Sequence, residues 1–385
     1  SGMLKHVYRK GLRLRYGSIM QCVSGIHYNF SFTKNSWKTL DNNPSQSYVN
    51  EKYLGMIRNI KRNFWFILEQ FGASPITHKS YLFEREHSLE KYNANDLFLP
   101  YATSLRMSDV GYQSNIQDSL KISYNNLDEF INALVKGIKT PVKKFNDIGM
   151  FDDTGIAQQI STGILQIENE LYDIVRPKRS GPSGSRPASL LKTGGIEYLE
   201  LRGIDVNPFI PEGIDVSKIK LLDIYITHSL ISESPLISDK EIEEIKANQK
   251  IMVSKGRLKN VMLSKNGDLI SLAELRKNFL AELEQTAEAL DEYSEGYLKA
   301  FHLEINKNML LSEKILTEMD VEGFEFQEYA LNQSKNIAEN FDSSDISDFY
   351  ALTNSAQASI ENLRNLEESS SMDINKYVEL YNSKI

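Results

Sequence analysis

The sequence predicts an α+β fold, with an antiparallel sheet in the first two thirds and a mainly helical last third. Three observations carry that expectation. Strand-like alternation falls within residues 21–32, 163–172 and 195–205; from about residue 238 the pattern turns helical; and strands do not alternate regularly with helices as parallel βαβ units would. The organisation expected is sheet and helices over 1–235, with a helical region, 236–385, packed on the same domain. No internal repeat is evident.

Taken in order, QCVSGIHYNFSF (21–32) reads as a half-buried strand. Alternation sends Cys22, Ser24, Ile26, Tyr28, Phe30 and Phe32 to a core-like face, and Gln21, Val23, Gly25, His27, Asn29 and Ser31 to the other. That second face offers two amides and an imidazole around Gly25, whose missing side chain would let a ligand lie close to the backbone. Residues 48–74 place Leu54, Ile57, Phe64, Ile67, Leu68 and Phe71 at helical intervals and stop at Gly72, which predicts one long packed helix. Asn126 with Glu129 resembles a capping box and opens a helix that ends at Pro141.

GILQIENELY (163–172) alternates with Leu165, Ile167 and Leu171 on one face, and GIEYLELRGID (195–205) with Leu199 and Leu201. Between them, RPKRSGPSGSRPASLLKTGG is rich in Gly, Ser, Pro and positive charge, which predicts a mobile basic loop. Ser238 with Glu241 and Ser271 with Glu274 are two more capping boxes. The second opens a helix whose apolar stripe is Leu272, Leu275, Phe279, Leu283 and Leu290. SSDISD and EESSSMD, near the end, read as exposed connectors.

Composition narrows the function classes. The chain has 385 residues, 41% hydrophobic and 25% charged, within the range of globular proteins. Its net charge of −8 repels nucleic acid and anionic membrane surfaces, so neither is expected as a partner and any polyanion must meet a local basic cluster. The single cysteine, Cys22, excludes an internal disulfide framework and fits a reducing compartment, with the cytoplasm as the default. No apolar run approaches the ~20 residues a membrane helix needs.

The polar positions suggest where chemistry sits. On the 195–205 strand, Tyr198, Glu200 and Arg202 share a face opposite Leu199 and Leu201; a surface ion pair is the simpler reading of Glu200 and Arg202 alone. Gln166, Glu168, Glu170 and Tyr172 form a second polar face, which meets either water or an enclosed polar site. His27 by itself reads as a structural histidine, and Cys22 cannot act with it because their parities differ. In YATSLRMSDVGY (101–112), Arg106 is able to form a fork-like pair with a carboxylate, or simply an internal ion pair. Arg176, Lys178, Arg179 and Arg186 supply local counter-charge for phosphates. The common metalloprotease, P-loop and serine-hydrolase signatures are absent from the sequence.

YRKGLRLRYG, SGIHYNFSF, FGASP, LPYATSLRMSDVGY, LQIENELYDIVRPKR and GGIEYLELRGIDVNPF, in this order from Tyr8 to Phe209, resemble the glutamate-cysteine ligase family of proteobacterial type. That family makes γ-glutamylcysteine, the first step of glutathione synthesis. The resemblance implies a glutamine-synthetase-like fold, with a curved antiparallel sheet whose concave face holds the site. It implies metal binding by His27 and Glu200, and places Arg202 near the ATP phosphates. Gln21, Val23 and Arg106 match positions around the glutamate substrate, and Tyr8, Leu12, Tyr112 and Tyr172 match the pocket for the cysteine side chain. Lys178 and Arg179 are added as ATP-facing residues on chemical grounds.

The implied substrates are L-glutamate, L-cysteine and ATP, with Mg²⁺ as cofactor and Mn²⁺ as an acceptable substitute, since an imidazole among carboxylates suits both. Family members carry a preceding segment with an E-x-E motif and further carboxylates; this chain starts after it, so low activity is the expectation for the chain alone. Two alternatives stay open at this point: a non-catalytic binding module on the same fold, and a related carboxylate-amine ligase with another amine acceptor.

Overall fold

Alternation in GIEYLELRGID does produce a strand, and the rest of the fold is best followed from it. The computed structural model describes residues 2–83, 85–111, 115–340, 349–369 and 372–385. Tyr112, SSDISD and the middle of EESSSMD lie outside the described residues. The chain begins with α1 (Gly2–Tyr16), a turn of 3₁₀ helix at Ile19–Cys22, and β1 (Ile26–Phe30). The strand expected over 21–32 is therefore shorter, because Gln21 N bonds back to Ser18 O and the turn takes Gln21 and Cys22 out of the alternation.

Next come α2 (Lys34–Leu40), α3 (Gln46–Arg62) and α4 (Phe64–Phe71). The single helix expected over 48–74 breaks at Asn63, whose φ of −105° and ψ of 17° leave the helical range, and α4 then stops at Gly72 as expected. A small antiparallel sheet, ordered β2-β4-β3, contains β2 (Ile76–His78), β3 (Glu90–Lys91) and β4 (Asp96–Phe98), with α5 (Lys79–Leu82) after its first strand. The Asn126 side chain caps α6 (Leu127–Lys139) by accepting from Asp128 N and Glu129 N; α7 (Lys143–Ile148) follows.

Residues 163–172 are a correction. They form no strand beyond a single bridge at Gly163, and Glu168–Glu170 is a 3₁₀ turn. Their polar side chains do not face water either: Gln166, Glu168 and Glu170 are all buried, held by Tyr8 O, Arg186 and Arg15 respectively. The strand lies just beyond, as β5 (Val175–Lys178), and the expected mobile basic loop is also corrected. Arg176 and Lys178 belong to β5, Arg186 is buried, and α8 (Pro187–Gly194) starts on a proline and ends at Gly195, so only the middle of the segment is loop.

β6 (Tyr198–Ile204) completes an antiparallel sheet of order β1-β6-β5. Leu199 and Leu201, fully buried, share the principal core with residues of α3, α4 and α9 (Val216–Ile231), while Tyr198, Glu200 and Arg202 lie on the opposite, partly open face. The last third holds α10 (Asp239–Lys255), α11 (Leu272–Asp291), α12 (Tyr297–Ile305), α13 (Leu311–Glu322), α14 (Phe326–Glu339), α15 (Phe349–Ser369) and α16 (Ile374–Asn382). Ser238 and Ser271 cap α10 and α11 as expected, and Leu272, Phe279 and Leu283 are buried. The purely helical expectation needs one correction: β7 (Met262–Lys265) and β8 (Asp268–Ser271) form a hairpin whose Asn266 and Gly267 have φ of 57° and 88°, both in the left-handed region that such tight turns require.

Candidate active site

The front of the main sheet is built around Glu200. Antiparallel register puts Asn29 of β1 opposite Glu200 on one side and Arg176 of β5 opposite it on the other. Between the paired positions Ile26–Ile204 and Tyr28–Leu201, two β6 residues, Arg202 and Gly203, face the single His27, so β6 carries a bulge there. The bulge lets Arg202 keep the face of Glu200 while both Gly203 and Ile204 are buried. His27 Nδ1 lies 3.3 Å from Glu200 Oε1. Arg176 donates to Glu200 Oε2 from Nη2 at 2.8 Å and from Nε at 3.2 Å, and Lys178 Nζ stands 3.4 Å from the same oxygen.

Burial alone would raise the Glu200 carboxyl, but the hydrogen bond from His27 and the charges of Arg176 and Lys178 override it and hold the group well below the usual carboxylate range. The Lys178 amine is pushed down to about 8, first by burial and then by Arg176 and Arg202, against the opposing pull of Glu200. One carboxylate thus gathers an arginine, a lysine and an imidazole on a partly open face.

Arg106 enters at the bulged end. Nη2 donates to Arg202 O at 3.1 Å and Nε to Asp205 Oδ1 at 2.5 Å. The guanidinium occupies the space left by Gly25, where an added Cβ would fall 2.5 Å from its Cζ. Gly25 therefore admits an arginine of the protein itself, where the sequence suggested close approach of a ligand. The ion pair Arg106 makes is with Asp205, not with Asp109 of its own loop.

The segments that carry Tyr8, Leu12 and Tyr172, α1 and 163–172, pack against each other. Tyr8 O accepts from Gln166 Nε2 at 3.3 Å, Leu12 is buried, and Tyr172 meets Tyr16 edge-on at 6.4 Å. Holding the two together is an ion pair with no exposed side chain on either side, Arg15 Nη1 to Glu170 Oε1 at 3.3 Å; Tyr16 also donates to that oxygen. Burial raises the Glu170 carboxyl despite Arg15. Glu168 pairs with Arg186 at 2.9 Å in the same brace.

Not every expected residue joins these groups. Gln21 donates to Arg9 O at 3.3 Å and so is tied to α1; Val23 is half-buried in the extended link between the 3₁₀ turn and β1. Arg179, just beyond β5, turns away from Glu200: its Nε donates to Gly195 O at 2.6 Å and its side chain packs on Gly194, the consequence of opposite parity to Lys178. Sequence reasoning did not single out Arg15, Tyr16 or Asp205 as parts of the site, although all three stand inside the quoted motifs.

Taken with its architecture, this face defines a class: an α+β domain whose sheet carries paired arginine, lysine, histidine and carboxylate groups on one partly open face. Comparison with known proteins makes the class particular. The family model described as glutamate-cysteine ligase matches residues 1–252, and the chain belongs to that family. The chain is 38% identical to the glutamate-cysteine ligase of Pseudomonas putida KT2440, covering 100% of this chain and 75% of that protein, and 35% identical to that of Janthinobacterium sp. Marseille with the same coverage. The structure of the glutamate-cysteine ligase of Francisella tularensis in complex with AMP superposes with a TM-score of 0.90 at 30% identity, covering 99% of this chain and 76% of that one. A bifunctional glutathione synthetase from Pasteurella multocida, TM-score 0.64 and 21% identity over 86% of this chain and 38% of its own, shares the fold.

Proposed function

We propose that the chain joins the γ-carboxylate of L-glutamate to the amine of L-cysteine at the expense of ATP, the first step of glutathione synthesis, in the cytoplasm. The observation that supports this reading best is the convergence of Arg106, Arg202, Glu200, His27 and Lys178 on one end and face of a single sheet in a chain of this family. A γ-carboxylate oxygen attacks the γ-phosphorus of ATP, the bond to the ADP oxygen breaks, and an acyl phosphate forms. The cysteine amine then adds to the acyl carbon, phosphate leaves with the bonding pair, and the amine proton is lost. The first step brings two anions together and the second builds negative charge on the acyl oxygen and the departing phosphate, and positioning with fixed positive charge lowers both barriers.

Arg106 holds a glutamate carboxylate: its two bonds to Asp205 and Arg202 use two of the five N–H donors of a guanidinium and leave a fork for the ligand. Lys178 and Arg202 face the triphosphate, and Arg176 fixes Glu200 from behind. Gln21 and Val23 flank the glutamate, whereas Arg179, held by Gly195 O, takes no part. Tyr8, Leu12 and Tyr172 wall the cysteine side chain.

Among the described residues no group of three or more His, Cys, Asp or Glu side chains could hold a metal ion. The His27–Glu200 pair nevertheless suits Mg²⁺ or Mn²⁺, because an ionised carboxylate and a half-exposed imidazole stand together and phosphate oxygens and water complete such a shell. When bound, the ion neutralises phosphate charge. We read residues 236–385 as part of the same catalytic domain as 1–235, since Met252, Leu272, Phe279 and Phe301 share one core with Leu54, Phe66 and Leu201.

The test is product formation from glutamate, cysteine and Mg-ATP, read as ADP release and as γ-glutamylcysteine by mass spectrometry, which registers even slow turnover. Dipeptide in step with ADP is expected. A dipeptide absent with cysteine but formed with 2-aminobutyrate or a larger amine would overturn the acceptor assignment, and ADP release without either amino acid would overturn the ligase reading.

A further inference from the structure

Three chain segments meet at the Asp205 carboxylate. It follows β6 directly, is 5% exposed, and accepts from Ala73 N at 2.8 Å, Ser74 Oγ at 2.8 Å and Arg106 Nε at 2.5 Å. Ser74 Oγ in turn accepts from Arg106 N at 3.2 Å, so the backbone and the guanidinium of Arg106 are tied to one clasp. The FGAS segment that supplies Ala73 and Ser74 is itself bridged to the arginine's own loop, with Leu105 N donating to Ser74 O at 2.6 Å and Ser74 N to Thr103 O at 3.3 Å.

We propose that Asp205 is the positioning residue for glutamate recognition: it fixes Arg106 through Nε, the one donor on the inner side of the guanidinium, so that the outer edge presents its fork at a set angle to the substrate carboxylate. This inference rests on the reading of Arg106 as the glutamate-binding residue. A long arginine side chain otherwise gives up conformational freedom each time substrate binds, and holding it beforehand removes that cost from the binding step. The carboxylate does not touch substrate; it acts through Arg106. Arg202 O fixes a second point of the planar guanidinium, so the group cannot pivot about its bond to Asp205.

The experiment compares Asp205→Asn, Ser74→Ala, Arg106→Ala and the Asp205→Asn/Arg106→Ala double variant by steady-state kinetics, with glutamate affinity also read by calorimetry. Asp205→Asn is expected to raise the glutamate KM by about tenfold or more while the KM values for ATP and cysteine stay within about twofold, as loss of one charge-assisted bond dictates. Ser74→Ala, a milder change that decides the matter if Asp205→Asn does not fold, should raise the glutamate KM by a few fold in the same selective way. In the Arg106→Ala background Asp205→Asn should add nothing to the glutamate KM, because a positioning residue has nothing left to position.

Arg106→Ala raising the glutamate KM while Asp205→Asn or Ser74→Ala leaves it unchanged overturns the inference and spares the reading beneath it. Equal rises for all three substrates, or an undiminished effect of Asp205→Asn without Arg106, also overturn it in favour of general structural support. An Arg106→Ala enzyme with normal glutamate KM overturns the reading of Arg106 and the inference together.

Discussion

The smallest informative change is Gly25→Ala. An alanine Cβ there would lie 2.5 Å from Arg106 Cζ, 2.7 Å from its Nη1 and 2.8 Å from Ile204 O. Carbon atoms in contact sit ~3.5–4.0 Å apart, so the overlap with the guanidinium is about 1 Å. Arg106 could retreat only by stretching its 2.5 Å bond to Asp205 beyond hydrogen-bonding range, and Ile204 O is strand backbone. Overpacking of this kind costs ~1–3 kcal/mol. Loss of the charge-assisted bond adds ~1.5–3 kcal/mol. Stability should thus fall by ~2.5–6 kcal/mol in urea unfolding, the sum of the two. Misalignment of the guanidinium should raise the glutamate KM ~10- to 100-fold in initial-rate assays at saturating ATP and cysteine. An alanine variant of unchanged stability and glutamate KM would show that the guanidinium does not pack on Gly25 in the working protein.

Three further outcomes follow from the ionic groups. Arg15→Met strands the buried Glu170 carboxylate, costing ~3–5 kcal/mol at neutral pH. Because burial already raises Glu170 above its ordinary 4.5, the stranded carboxylate is tolerated when protonated, so the loss should shrink as pH falls; urea midpoints at pH 5 and 7.5 that show an equal loss contradict this. For Lys178 the sign is opposite: its folded pKa of about 8 lies below its ordinary 10.5, so the unfolded chain binds more protons in that window and this group's contribution to stability rises with pH from 8 to 10.5. Lys178→Met should flatten that slope, and should also raise the ATP KM most at pH values below 8, where the wild-type amine is charged; a slope identical in the variant refutes it. Glu200→Gln leaves Arg176 and Lys178 without their counter-charge and should lose ~3 kcal/mol along with nearly all turnover, whereas a variant of native stability and activity would remove Glu200 from the centre of the site.

Much of the sheet was legible because its signal is local. Leu199 and Leu201 against Tyr198, Glu200 and Arg202 is an alternation that burial reproduces, and the caps at Asn126, Ser238 and Ser271 depend only on residues two or three places away. The 163–172 segment misled for the opposite reason. Its alternation is real, but Glu168 and Glu170 answer to Arg186 and Arg15, and no local pattern marks an acid as buried against an arginine so far along the chain. Two missed elements did carry a local signature: Asn266-Gly267 between short apolar runs marks a hairpin, and Pro187 with Gly195 brackets a helix. Within the site, His27 and Glu200 come together on one face, while the bond of Arg106 to Asp205 crosses between strand end and loop and has no sequence periodicity to reveal it.

The most direct measurement is a crystal structure of the chain with L-glutamate, Mg²⁺ and a non-hydrolysable ATP analogue. The account predicts a glutamate carboxylate on the outer edge of Arg106, phosphates facing Lys178 and Arg202, and the metal ion against Glu200 and His27. Ligands seated elsewhere, with that sheet face empty and Arg106 bonded only to Asp205 and Arg202, would contradict it.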